Sequence, residues 1–136
     1  MPDRHDPAQV LAAALDVADE TFVRVRPEVL ARVVADSGWW IRWWPDLVPH
    51  VTRDRGLKGQ QWTLTGALVG SMEIWLEPMG GGTVVHWFLR ASPRRSLSRR
   101  RVRRLRERRV RSWKRHMFAL KDRLEVKDQP GSADSP

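Results

Sequence analysis

"GSMEIWLEPMGGGTVVHWFLRAS", residues 70 to 92, contains two runs of alternating side chains joined by a glycine-rich turn. In the first run Met72, Ile74 and Leu76 share one face, and Glu73, Trp75 and Glu77 share the other. In the second, Val85, Trp87 and Leu89 oppose Val84, His86 and Phe88. Successive side chains of a strand point to opposite faces, so the pattern predicts two antiparallel strands with one buried face each. "MGGG", 79 to 82, closes them as a hairpin. A sheet with one apolar face needs a covering layer, and the segment that follows supplies one. From Pro93 to Val126, Val102, Leu105, Trp113, Met117, Leu120 and Leu124 recur at helical spacing, with Arg109 in one place where an apolar residue is expected.

Working outward, "QQWTLTG" at 60 to 66 sets Trp62 and Leu64 on one strand face. "LVPHVTRDRG", 47 to 56, reads as an edge strand because Pro49 has no N–H to give to a ladder, and it ends at a turn near Gly56. "DETFVRV" at 19 to 25 alternates as a strand, and "RPEVLARVVAD" then changes to helical spacing behind Pro27. Val29, Leu30, Val33 and Val34 form the buried face of that helix, and Ser37 and Gly38 are expected to break it. "SGWWIRWWPDL", 37 to 47, holds four of the eight tryptophans, and Pro45 stops its helix. At ~100° per residue, Trp39 and Trp43 fall on one line and Trp40 and Trp44 on the next, an aromatic arc of ~140°. The expected fold class is α+β: a curved antiparallel sheet of about five strands on one long C-terminal helix. The expected division is a loose segment at 1–16, one domain at 17–127 with its Arg-rich helix at 94–126, and a disordered tail at 128–136.

With 136 residues, 41% apolar and 30% charged, the chain has the size and composition of one globular domain. It has no cysteine, which excludes disulfides and thiolate metal sites. No apolar run reaches the ~20 residues that span a bilayer, and "VLAAAL" at 10 to 15 is too short for most export signals. A cytoplasmic protein is expected. The net charge of +9 is concentrated: residues 94 to 115 carry 13 of the 25 Lys and Arg and one acid, Glu107. That segment is +12, and 12 cations against 15 acids leave −3 elsewhere. Because 21 of the 25 cations are Arg, base composition accounts for part of the preference for Arg over Lys.

The sequence resembles the START-like superfamily with the helix-grip fold, and within it the bacterial polyketide cyclase/dehydrase and lipid-transport family. The resemblance is carried by "ADETFVRVRPEVLARVVAD" at 18 to 36, "WWPDL" at 43 to 47, the hairpin at 70 to 89 and "FALKDRLE" at 118 to 125. It implies a cavity between sheet and long helix, with the tryptophan helix at its rim. Family members commonly carry six or seven strands, so a five-stranded sheet implies a smaller or more open cavity. The family's cyclase residues find no match here.

Three readings of the tryptophans stand side by side: core packing, the wall of an apolar pocket, and contact with a membrane interface. The pocket reading names Trp39, Trp40, Trp43, Trp44, Trp62, Leu64, Met72, Ile74, Val85, Trp87, Leu89, Trp113 and Met117 as ligand-binding. No catalytic constellation, metal motif or cofactor is expected. His5, His50, His86 and His116 have no metal spacing. His86 is expected on the surface beside Trp75 and Phe88, and His116 is able to point inward. The triple glycine has no helix after it to receive a phosphate. The Arg-rich segment is either a solvated face or a docking surface through Arg99, Arg100, Arg103, Arg104, Arg108 and Arg111. Anionic membrane is the preferred partner there, with RNA or an acidic protein as the alternative. Binding or carriage of a small hydrophobic ligand, lipid- or polyketide-like, is the function these readings favour. The contrasting class is an interaction protein that uses only the Arg-rich helix.

Overall fold

A computed structural model describes residues 13–128. Five strands form one antiparallel sheet in the order β1-β5-β4-β3-β2: β1 (Leu15–Val23), β2 (Leu47–Asp54), β3 (Gly59–Gly66), β4 (Leu68–Met79) and β5 (Gly82–Pro93). Helices α1 (Pro27–Ala35) and α2 (Ser37–Trp43) join β1 to β2, and α3 (Arg99–Asp128) closes the chain over the sheet. The α+β class and the strand count agree with the sequence reading. Of the loose segment expected at 1–16, residues 1–12 lie outside the described residues, while Leu15 and Asp16 belong to β1; of the tail expected at 128–136, residues 129–136 lie outside them and Asp128 ends α3.

The central hairpin has the register its alternation requires. Met72 faces Leu89, Ile74 faces Trp87 and Leu76 faces Val85 across β4 and β5, and all six are buried. Trp62 stands opposite Met72 on the next strand and is 1% exposed. Under this face lie Trp113, Met117 and Leu120 of α3, also buried. One apolar sheet face and one apolar helix stripe thus make a single core.

Several boundaries differ from expectation for identifiable reasons. β1 begins at Leu15, and Leu15 and Val17 enter the core because their partners Ala91 and Leu89 are buried across the ladder. Ser37 and Gly38 do not break the helices. Asp36 does, and its carboxylate accepts the Gly38 N–H (2.8 Å), capping α2. Pro93 ends β5 rather than opening the last helix, which starts at Arg99. Ser98 sits before it and its Oγ accepts the Arg101 N–H (3.2 Å). Arg109, placed where an apolar residue was expected, reaches over the core edge to Asp46 in a two-pronged pair (2.8 and 2.6 Å). That pair ties α3 to the turn after the tryptophan helix.

Lysine tips on α3 cover the free edge of β1. The Lys114 ammonium donates to the Glu20 carbonyl (2.7 Å) and pairs with Asp19 (3.1 Å). Lys121 donates to the Phe22 carbonyl (3.0 Å) and pairs with Glu125, which accepts the Arg24 backbone N–H (2.8 Å). An uncovered edge would be a template for pairing with another chain. Burial raises the Glu125 carboxyl, but the hydrogen bonds from Lys121 and Arg24, with the charges of both, hold it below the ordinary carboxylate value. A depressed carboxyl pKa stabilises the fold above the unfolded value, and the contribution is lost as pH falls through the lowered one. Glu125→Gln is therefore expected to cost up to about 1 kcal/mol at neutral pH. Its urea midpoint should converge with the parent's on acidification below the carboxylate range. A constant difference across pH would contradict the linkage.

Candidate functional site

The space between sheet and α3 is occupied by aromatic rings. Trp113 stacks on Trp87 (4.9 Å between centroids) and on Trp44 (5.6 Å, 8° between planes), and meets Trp43 edge-on (5.3 Å). Trp62 touches Trp44 (5.8 Å) and Trp40 (5.4 Å) with its edges. Trp39 lies against Trp43 (5.7 Å), so seven of the eight tryptophans form one continuous cluster, drawn from α2 and its C-cap, β3, β5 and α3. Trp43 and Trp44 are buried, while Trp39 and Trp40 are half-buried, so the two pairs divide as core and rim. Ile41, behind the arc, is exposed.

Polar satisfaction separates these rings. Trp40 donates its indole N–H to the Val34 carbonyl (2.7 Å). The indole N–H groups of Trp62, Trp87 and Trp113 are buried with no acceptor, and the buried Gln60 side-chain oxygen has no donor. An indole N–H almost always finds a partner when buried. Leaving a donor unmet costs about 1–3 kcal/mol. Three such donors and one acceptor lie on the concave face of the sheet or against it. Gln60, Ile74 and Trp87 form one row across β3, β4 and β5, and Trp62, Met72 and Leu89 form the next. The sequence reading passed over Gln60, although its spacing of two from Trp62 puts it on the inner face. Leu64, Met72, Ile74, Val85, Leu89 and Met117 are all in this core.

The outer face of the sheet holds a second aromatic group. His86 stacks on Trp75 (4.2 Å, 18°), lies parallel to Phe88 (6.2 Å) and is hydrogen-bonded to Glu77 (2.9 Å). Glu73 pairs with Arg55 (3.2 Å). An open hollow of about 530 Å³ lies beside Trp75, between Arg55, Lys58 and Pro78, and a neighbouring one of about 310 Å³ reaches Arg90. The surface position of His86 agrees with the period-two reading. Its neighbours Trp75 and Phe88 are those expected, and the stacking of the rings is what the structure adds, since alternation assigns a face but not a ring-to-ring geometry. His116, half-buried on α3, is pushed below the ordinary histidine value by burial and then by the Arg115 charge.

The arginines chosen from sequence, Arg99, Arg100, Arg103, Arg104, Arg108 and Arg111, are all exposed. Arg101, Arg104 and Arg108 border a hollow of about 370 Å³ with Leu97, so Arg101 belongs with that set although the sequence reading omitted it. Trp39 is not near them: its ring lies under Arg42 (5.1 Å) and Arg123 (5.6 Å). Arg123 is about fifteen residues, or ~22 Å of helix, from Arg108. Among the described residues no group of His, Asp or Glu is arranged to hold a metal ion, and no helix is long and apolar enough to cross a membrane.

A curved antiparallel sheet packed on one long C-terminal helix, with two short helices after the first strand, defines an α+β fold of the helix-grip kind. The chain is similar to a Deinococcus radiodurans protein of known structure (TM-score 0.62, 16% identity, 83% of this chain and 98% of that one). It is also similar to the Aha1 dimer from Colwellia psychrerythraea (0.59, 16% identity, 84% and 98%) and to a Thermus thermophilus protein (0.54, 14% identity, 85% and 100%). Such identities carry the fold alone. No family model and no curated protein matches the chain, so the narrower polyketide cyclase/dehydrase resemblance gains no support from them.

Proposed function

We propose that this protein binds a small, mostly apolar molecule, lipid- or polyketide-like, between the sheet and α3. The observation that carries the reading is the set of unmet donors on Trp62, Trp87 and Trp113 inside an otherwise apolar core. A packed core gains nothing from three indole nitrogens that water cannot reach, whereas phenylalanine fills similar space without the penalty. A ligand that brings an acceptor oxygen, a carbonyl or carboxylate on a hydrophobic frame, satisfies them. Entry requires α2 to part from α3, where contact runs through Trp43 on Trp113, Trp39 under Arg123 and Asp46 on Arg109. Two of these three contacts are polar or lie at the rim. The role is binding or carriage, with orientation supplied by the indoles and no proton-transfer group placed among them.

The test is titration with a fluorescent fatty acid, read by tryptophan emission and by native mass spectrometry. Saturable micromolar binding is expected in the parent. Trp87→Phe and Trp113→Phe should each cost under about 1 kcal/mol of stability, since the lost area is offset by removal of an unmet donor. Each should weaken binding about tenfold, the value of one hydrogen bond to a buried group. Absence of saturable binding to the folded parent would remove the proposal.

A further inference from the structure

The N-terminal half of α3 carries nine arginines between Arg99 and Arg111, of which only Arg109 is ion-paired among the described residues. The other eight are exposed. Their disposition around the helix distinguishes one polyanion from another. At ~100° per residue, with Arg99 at ~0°, Val102, Leu105, Arg109 and Trp113 occupy an inward line between ~240° and ~320°, and half-buried Val110, packed on the core, lies near ~20°. Arg99, Arg103 and Arg106 form a row centred near ~10°, and Arg101, Arg104 and Arg108 a second row near ~170°. Between them Arg100, Glu107 and Arg111 project near ~100°, directly away from the body of the protein.

A flat anionic bilayer meets one side of a helix and favours apolar residues on that side. Here the cations span ~220°, and no apolar residue of 99–111 is exposed. A groove with charged walls on both flanks fits that distribution. The major groove of B-form DNA, about 12 Å wide, admits one α-helix of 10–12 Å diameter and places a phosphate strand along each side. The corresponding groove of A-form RNA is too narrow and deep to be entered.

We propose that Arg99–Arg111 is a recognition helix for duplex DNA. The two arginine rows neutralise phosphates on opposite strands. Arg100 and Arg111 point at base edges, where guanine O6 and N7 accept a guanidinium, and Glu107 is positioned to accept from cytosine N4. The proposed contacts use exposed arginines of the N-terminal half of α3, whereas Trp113, Met117 and Leu120, which face the sheet, lie further along the helix and are buried.

The experiment is fluorescence anisotropy of the full chain with a labelled DNA duplex of about two helical turns, across roughly 50 to 200 mM salt. The same-sequence RNA duplex and phosphatidylglycerol vesicles are run beside it. DNA should bind most tightly, with log affinity falling linearly against log salt at a slope near −5, for about six phosphates. Arg101→Gln, Arg104→Gln and Arg108→Gln combined should reduce that slope by about three. Glutamine is a good helix former, and circular dichroism should show α3 intact. RNA or vesicles bound as tightly as DNA, no DNA binding at low salt, or an unchanged slope in the triple variant would each overturn the proposal.

Discussion

Trp113→Ala is expected to lower the unfolding free energy by about 3–5 kcal/mol, as for other large aromatic residues removed from packed cores. Trp113 is 1% exposed and touches Trp43, Trp44 and Trp87. It is thus the point where α3 meets both the tryptophan helix and the centre of the sheet. Alanine leaves a cavity bounded by three rigid indoles, which relax poorly because each is held by another neighbour. Urea unfolding followed by circular dichroism measures the loss. Trp39→Ala serves as the comparison: its ring is half-buried and covered by two arginines, so its cost should be near 1 kcal/mol. Equal costs for the two variants would mean that the cluster is not centred on Trp113.

Gly59→Ala is expected to destabilise by at least about 3 kcal/mol through backbone strain and collision. Gly59 opens β3 opposite Trp75 at φ 109°, and an added Cβ would lie 1.9 Å from the Ile74 carbonyl oxygen. The obstacle is backbone, so no side-chain rotation relieves it, and the β3–β4 pairing must shift. Gly80→Ala isolates the conformational part. Its φ of 56° is also left-handed, but nothing lies within 4 Å of the added atom. A cost of about 1 kcal/mol is expected there. If both substitutions cost the same, close approach at Gly59 is not the cause.

The parts of this molecule legible in sequence are those governed by local periodicity. Period two placed Met72, Ile74, Leu76, Val85, Trp87 and Leu89 on one face before any partner was known, because a pleated strand has only two sides. Helical spacing placed Trp113, Met117 and Leu120 opposite them in the same way. The concentration of arginine at 94–115 was equally plain, being a count. Pairings between distant segments were not legible. Arg109 interrupts an apolar stripe, and only the fold brings Asp46 to it; nothing local to Lys114 and Lys121 points to the β1 carbonyls beneath them. Nothing local ranks Trp40, which finds the Val34 carbonyl, against Trp62, Trp87 and Trp113, which find no acceptor. A side chain's face is set by its own backbone torsions, but the satisfaction of its donor depends on which atoms the whole fold brings within 3.5 Å. The candidate site rests on that second kind of information, and only the packed tertiary structure contains it.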